Sequence, residues 1–288
     1  MGHRKADTMS QTTLNSAKGW SPDVSAFAPQ DVIPDALILQ TSTVAGSIEG
    51  DEPAVRVVHV NDDEAEFVAE GAEIPLGDPE LDETLVYTGK VAQLLKISRE
   101  QYNTGSAASL LSTSVARAVT NRANQAYVAQ AAPTGGSTTP PAGLLNVAGI
   151  GTGDPIATDL DPLADAVATI EAAGGNPTHI LAAPDAWAAL RKLRTGDGSN
   201  VSLLGAGTED AGKRVLGIPV LTTPAMPAGR LLMLDRAAVV SAVGTVQVAT
   251  STDVYFGSDS VGLRCVWRFG QNVVRPDRIV QLTVNTEG

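Results

Sequence analysis

The 288-residue chain is 43% apolar, carries one cysteine and has a formal net charge of −12. That length accommodates one large domain or two small ones, while no apolar run reaches the roughly 18 to 20 residues that cross a bilayer and the N-terminus lacks a signal-peptide core. The lone Cys265 excludes a disulfide framework and a cysteine-rich metal site, and the acidic balance excludes a dedicated nucleic-acid binder with a basic face.

A soluble, intracellular protein of mixed α and β structure is therefore expected. Pro22, Pro29 and Pro34 interrupt the first forty residues, which show no sustained helical period and read as an extended arm. Next comes the stretch that holds the whole net charge. Between Glu49 and Glu83 thirteen acids face one base, Arg56, so this window alone sums to −12. A run so acidic ordinarily stays disordered. Here, however, Val55, Val57, Val58 and Val60, then Phe67, Val68 and Ile74, recur at strand spacing about a turn at Asn61-Asp62-Asp63. The pattern predicts a long acidic β-arm.

From Thr84 to Ser98 the sequence reads as one long strand. Ser98-Arg99-Glu100 opens a helical turn, and Ser106 caps a helix over 107–130 whose apolar stripe comprises Leu111, Val115, Ala118, Val119, Arg122 and Ala126. Residues 131–142 have linker composition and mark a boundary. Beyond it the pattern predicts a compact α/β unit: a helix capped by Asp159 or Asp161 and ending at Gly174-Gly175, a strand over 179–182, a helix over 184–194, a Gly-rich loop over 195–213, and strands over 218–221 and 231–234. Finally Leu263, Cys265, Trp267 and Phe269 alternate with Arg264 and Arg268 in a strand, and strand-like sequence continues to Val284.

Candidate chemistry is sparse. Gly207 to Arg214 nearly matches a phosphate loop, but Arg214 replaces the magnesium-ligating hydroxyl and Glu209 and Asp210 sit where phosphates would lie, so a surface loop is expected. Gly149, Gly151 and Gly153 read as a turn, lacking the strand-to-helix context of a dinucleotide loop. His3, His59 and His179 are scattered and form no zinc pair, and no nucleophile elbow or calcium loop fits. No catalytic, cofactor-binding or metal residue is assigned. The rival reading, an α/β enzyme using the 151–250 unit, requires a pocket of converging perturbed groups.

Several landmarks in order resemble a known family. Ala65 to Pro75 (AEFVAEGAEIP), the strand with central Lys90, Ile97-Ser98-Arg99-Glu100 leading into a long helix, Gly143-Leu144-Leu145-Asn146, Leu216 to Val220 and Arg264 to Pro276 are similar to tailed-phage major capsid proteins of the Hong Kong 97-like fold. The resemblance implies an α+β fold with an N-terminal arm (1–45), an extended β-hairpin loop (46–83), a peripheral domain with a spine helix and β-strands (84–150 and 251–288) and an α/β axial domain (151–250). It implies a structural shell protein forming hexamers and pentamers around double-stranded DNA, located in the virion and assembled in the host bacterial cytoplasm, with separate scaffolding, portal and decoration proteins as partners and no membrane. The alternative on the same fold is an encapsulin-type compartment, against which the proline-broken Ser21 to Asp35 speaks. No lysine lies in 49–83, so covalent crosslinking through the loop is not expected, and a separate scaffold, or none, is expected.

Charge adds a contact hypothesis. The acidic arm (Glu49, Asp51, Glu52, Asp62, Asp63, Glu64, Glu66, Phe67, Glu70, Glu73, Ile74) is expected to lie on a neighbour's basic surface (Lys90, Lys96, Arg99, Arg117, Arg122, Arg264, Arg268, Arg275, Arg278).

Overall fold

The computed structural model describes residues 24–61, 67–68, 80–103, 107–196, 199–204 and 213–285. Strand β1 (Val24–Phe27) leads into two short helices, α1 (Pro29–Val32) and α2 (Leu37–Thr41). Pro29 occupies the first turn of α1, where its missing N–H would have had no helical partner anyway. Ile33 and Ile38 are buried in the main core. Residues 1–23 of the expected arm lie outside the described residues, β1 is paired with a later strand of a sheet, and residues 33–41 belong to the packed body.

After β2 (Thr43–Ile48), strands β3 (Ala54–Asn61) and β4 (Glu80–Tyr87) form an antiparallel pair in register from Ala54↔Tyr87 to Asn61↔Glu80. This corrects two expectations. The second limb of the acidic hairpin is 80–87 rather than 67–74, with Phe67 lying fully exposed outside both strands. The long strand over 84–98 is two strands, β4 and β5 (Gly89–Ser98), broken at Thr88. Thr88 is buried because its N–H donates to Pro53 O (2.9 Å) and its hydroxyl to Glu52 O (2.6 Å). These bonds turn the chain out of one sheet and into another. Gly270 completes the crossing, since a Cβ there would collide with the Tyr87 carbonyl.

Helices α3 (Arg99–Asn103) and α4 (Ala107–Ala129) follow, the first opened by Ser98 Oγ, which accepts from Gln101 N–H (3.3 Å). Val115, Val119, Ala123, Tyr127 and Val128 of α4 are buried and Leu111 and Ala126 pack against the same core, so the expected stripe holds for Leu111, Val115, Val119 and Ala126 and fails at the exposed Arg122. Its C-terminus explains the Gly143-Leu144-Leu145-Asn146 landmark. Gly143 N–H donates to Gln130 O (2.8 Å), and Asn146 Nδ2 donates to Gln130 O (2.8 Å) and Ala129 O (3.2 Å), satisfying carbonyls that the helix itself leaves free. A Cβ on Gly143 would lie 2.5 Å from Gln130 N.

The chain then builds a second unit from β6 (Gly151–Thr152), α5 (Asp161–Ala172), β7 (His179–Ala182), α6 (Pro184–Lys192), β8 (Arg214–Val215), β9 (Ile218–Thr222) and β10 (Arg230–Leu234). Helix α5 starts at Asp161 with Pro162 in its first turn, and Gly174 (φ +70°) follows its end, as its sequence predicts. It returns to the first unit for β11 (Val239–Gly244), β12 (Val246–Tyr255) and β13 (Ser260–Val273), then crosses back for β14 (Ile279–Thr283). The sheet orders are β1-β12-β13-β11-β2 with β5 on β13, and β6-β14-β10-β7-β9-β8. Sheet membership therefore cuts the chain near 235–238 and 274–278, whereas residue 250 falls inside β12. One hydrophobic core runs through both units.

β13 is the axis of the larger sheet, pairing with β5 from Ser260↔Ser98 to Phe269↔Gly89. Its other edge meets β11 (Val243↔Phe269) and β12 (Gln247↔Val266), leaving one extra residue at Gly244-Thr245, a β-bulge. Trp267 Nε1 donates to the bulge carbonyl of Gly244 (3.0 Å), and its ring stacks at 4.5 Å on Phe269. Leu263, Cys265, Trp267 and Phe269 are all buried on the face that carries α4, and burial pushes the Cys265 thiol pKa up.

Candidate functional site

Alternation along β5 and β13 leaves the opposite face of the larger sheet open. Cross-strand register sets Arg268 beside Lys90 and Arg264 beside Leu94, with Lys96 next along β5. Side chains opposite one another in antiparallel strands share a face. Lys90, Lys96, Arg264 and Arg268 consequently stand together around Leu94, which is 57% exposed. Lys96 Nζ lies 5.1 Å from the Tyr255 ring centroid, a cation–π contact that holds it against the sheet.

The acidic hairpin rises from the edge of this face. Val57 and Val86 are buried with Ile48, Val240 and Ala242 in a small separate core at its base. Asn272 Nδ2 donates to Thr84 Oγ1 (2.9 Å) and Leu85 O (3.2 Å), fixing β4 to the end of β13. Further out Val58 is 57% exposed, and Arg56 pairs with Glu83 at 2.7 Å in solvent. Glu49, Asp51 and Glu52 are exposed where the chain enters β3. Asp62, Asp63, Glu64, Glu66, Glu70, Glu73 and Ile74 lie outside the described residues.

Arg268 joins the two surfaces. Its Nη2 donates to Asp51 Oδ1 (3.2 Å) and its Nη1 to Thr88 Oγ1 (3.0 Å), so it ties both roots of the hairpin to β13 within one chain. Sequence reasoning had placed Arg268 and Asp51 on opposite sides of a contact between copies. It missed Thr88 and Asn272 altogether, the only local signal being the Thr88-Gly89 interruption of an apolar run.

The remaining basic residues are dispersed. Arg99 Nε donates to Asp259 Oδ1 (2.6 Å) at the far end of the sheet, where Arg99 N–H also binds Asp259 O (3.1 Å). Arg117 and Arg122 lie on the exposed side of α4, and Arg122 Nη2 donates to Gln130 Oε1 (3.0 Å). Arg275 lies just beyond the end of β13. Arg278 is not part of an open basic surface: its guanidinium, 15% exposed, donates to Ala173 O (3.0 Å) and lies 3.9 Å from Asp235 Oδ2, bracing a crossing between the units.

A pocket of about 540 Å³ opens where β5 begins, between the sheet, the end of α4 and the Pro140-Pro141 turn; Lys90, Arg122, Arg268 and Gln271 line it. No three His, Cys, Asp or Glu side chains among the described residues are grouped to hold a metal. Lys213 and Arg214, the end of the near-match to a phosphate loop, lead into the β8–β9 hairpin instead of a helix. No helix among the described residues is long and apolar enough to cross a membrane.

Comparison with known proteins agrees with this architecture. The model of the Phage capsid family matches residues 33–284. No curated protein sequence matches the chain. Among solved structures, that of Gordonia phage Cozz is 19% identical with a TM-score of 0.67, covering 86% of each chain. Another, Mycobacterium phage Bobi, is 16% identical at 0.64, covering 87% of this chain and 90% of that one. The capsid of a native GTA particle computed with C5 symmetry is 18% identical at 0.62, covering 86% and 90%. At such identities the likeness is one of fold.

Proposed function

This chain belongs to the phage capsid family, and from that membership we propose that its copies form the hexamers and pentamers of an icosahedral shell enclosing the double-stranded DNA of a tailed phage. It is a structural, shell-forming capsid protein and not an enzyme. In the proposed arrangement the unit of β6–β10 and β14 surrounds the five-fold and six-fold axes, and the unit of β5, α4 and β11–β13 forms the periphery. Repeated head-to-tail contacts with a closing rotation give such rings. Scaffolding, portal and decoration proteins are the proposed partners, with assembly in the host bacterial cytoplasm and DNA held without sequence readout.

Between copies, the acidic hairpin is proposed to lie on the basic sheet face of the next subunit. Lys90, Lys96 and Arg264, with Arg117 and Arg122 on α4, are the residues offered to it. An exposed ion pair contributes about 0 to 1 kcal/mol, so charge selects partner and register while exposed Val58, Leu85 and Phe67 supply burial. Many weak contacts repeated over a closed shell then hold the particle.

The observation that carries this reading is the family match over residues 33–284. Electron microscopy of the purified chain, with and without candidate scaffold, tests it, together with nuclease-protected DNA in particles from infected cells. Closed shells are expected; a chain that stays dispersed under all these conditions overturns the reading. In a second chain, residues 60–81 are replaced by Asn-Gly, retaining Val57 and Val86. It should stay folded yet fail to give shells of normal size.

A further inference from the structure

Strands β11 and β12 run on through the Gly244-Thr245 bulge as one line, and β2 and β1 lie end to end along its other side: Ile48 is registered on Gly244 and Phe27 on Val246. Both are terminal in the strand order, so among the described residues no strand pairs with their outer edge. Ala26 and Phe27, like Thr43, Val44 and Ala45, are exposed in succession, which leaves both faces of the sheet open here as well. Neither strand, VSAF or TVAGSI, contains a charged residue or a proline. The one irregularity is Ala45, the extra residue where the register on β11 slips. A groove of about 450 Å³ at the junction, between Pro29, β2 and the bulge, is lined by no charged residue either. Edge strands are ordinarily blunted by charge, proline, bulges or a covering segment. One bulge leaves most of this edge in need of a cover.

The occupant follows from where the described chain starts. Residues 1–23 precede β1 and join it at Val24, on this same edge. Ser21-Pro22-Asp23 is turn chemistry. Between Asp7 and Lys18, residues 8–17 (TMSQTTLNSA) carry no charge, glycine or proline, which matches the uncharged edge. We infer that this segment folds back at 21–23 and lies along β1 and β2 of its own chain as an added strand. β1 is antiparallel to β12 and β2 is parallel to β11, so a segment antiparallel to β1 runs parallel to β2. With the turn at 21–23, Ala17 falls opposite Phe27, and residues of about 11–15 reach β2 at strand spacing. So short a tether gives the segment an effective concentration in the millimolar range, above that of the same segment on another copy. The strap closes an edge that would otherwise be open to pairing with other chains, and it does so whether or not shells form.

The test uses the full chain, with the buried Cys265 left in place. Ser47→Cys, exposed on β2, is combined in turn with a cysteine at each of residues 8–17 and oxidised with glutathione disulfide. Intramolecular disulfides, seen as compact monomers on a non-reducing gel, should peak within residues 12–16 and alternate with the two-residue period of a strand. Disulfide-linked dimers in their place would put another copy's segment on the edge, and equal yields at every position would mean a loose tail. Either result overturns the inference, as does the absence of any crosslink. Thr12→Pro with Thr13→Pro supplies a second readout, because one of two successive N–H groups in a strand must point at β2 and proline has none. Hydrogen exchange over 43–48 should become about tenfold faster while that of 179–182 is unchanged. Unchanged exchange over 43–48, or equal acceleration of both segments, overturns the inference.

Discussion

Arg268 Nη2 and Asp51 Oδ1, 217 positions apart in sequence, meet at 3.2 Å at the root of the acidic hairpin. The two partners are unequal: the Asp51 side chain is 84% exposed, and that of Arg268 only 18%. Their pairing is therefore partly screened by solvent, whereas the Arg268 bond to buried Thr88 Oγ1 is not.

Arg268→Ala should loosen the hairpin by about 1 to 2 kcal/mol, and Asp51→Asn by less than about 0.5 kcal/mol. Hydrogen exchange resolved by peptide is the measurement. Protection should fall over 54–61 and 80–87 in Arg268→Ala while the amides of β10 and β14 stay unchanged. Equal loss of protection across the whole chain would show that Arg268 supports the fold at large and not the hairpin.

Gly143 and Asn146 close the C-terminus of α4. Gly143→Ala brings a methyl group to 2.5 Å from Gln130 N and within 2.7 Å of Ala129 N, against backbone that cannot yield cheaply. A loss of about 2 to 3 kcal/mol is expected, and about 1 kcal/mol for Asn146→Ala, which removes two donations without a clash. Urea unfolding of both variants gives the comparison, and the order of the two losses is the point checked.

Leu216 sits in the left-handed region (φ +51°) beside Gly217 (φ +80°) in the two-residue β8–β9 turn. A left-handed conformation costs a residue with a Cβ about 1 to 2 kcal/mol, and Asn-Gly is the sequence such turns favour. Leu216 is 52% exposed, so its replacement sacrifices little burial. Leu216→Asn should therefore raise the unfolding midpoint by the equivalent of about 0.5 to 1 kcal/mol. A lower midpoint would mean that the leucine makes apolar contacts worth more than the strain.

His179 titrates below its ordinary value of 6.5, chiefly because it is partly desolvated on β7 and secondarily because the Arg236 guanidinium repels a second positive charge. A depressed pKa means that the unfolded chain binds protons first as pH falls. The stability contributed by neutral His179 is complete above pH 6.5 and declines as pH drops from there through the lower folded value. Unfolding midpoints measured at pH 7.5 and pH 5 should lie closer together in His179→Gln than in the wild type.

How much could be read beforehand depended on the range of the interactions involved. Leu263, Cys265, Trp267 and Phe269 declared their face because alternation is local and a single helix covers them. Asp161-Pro162 and Gly174 likewise marked the ends of α5 from neighbouring residues alone. The bend at Thr88 was hidden because it is enforced by Pro53, Gly270 and Arg268, remote in sequence. In α4, Ala118 and Ala123 are chemically identical, so only the packed sheet decides which is buried. The charge of the hairpin was plain, but the sign of a charge does not say whether its partner lies in the same chain; Asp51 and Arg268 show that at least one pair does. β14 looks like any apolar strand, and nothing local assigns it to one sheet over the other.

The three passages of the chain between its two units, at 147–150, 235–238 and 274–278, have a mechanical consequence. Cutting any one peptide bond in them leaves two covalent links and a shared core, so no nick releases either half. With Arg278 and Asp235 3.9 Å apart at these passages, the subunit is expected to move as a single tile instead of two pieces on a tether. In a shell built from such tiles, curvature is then expected to arise between subunits and not within one.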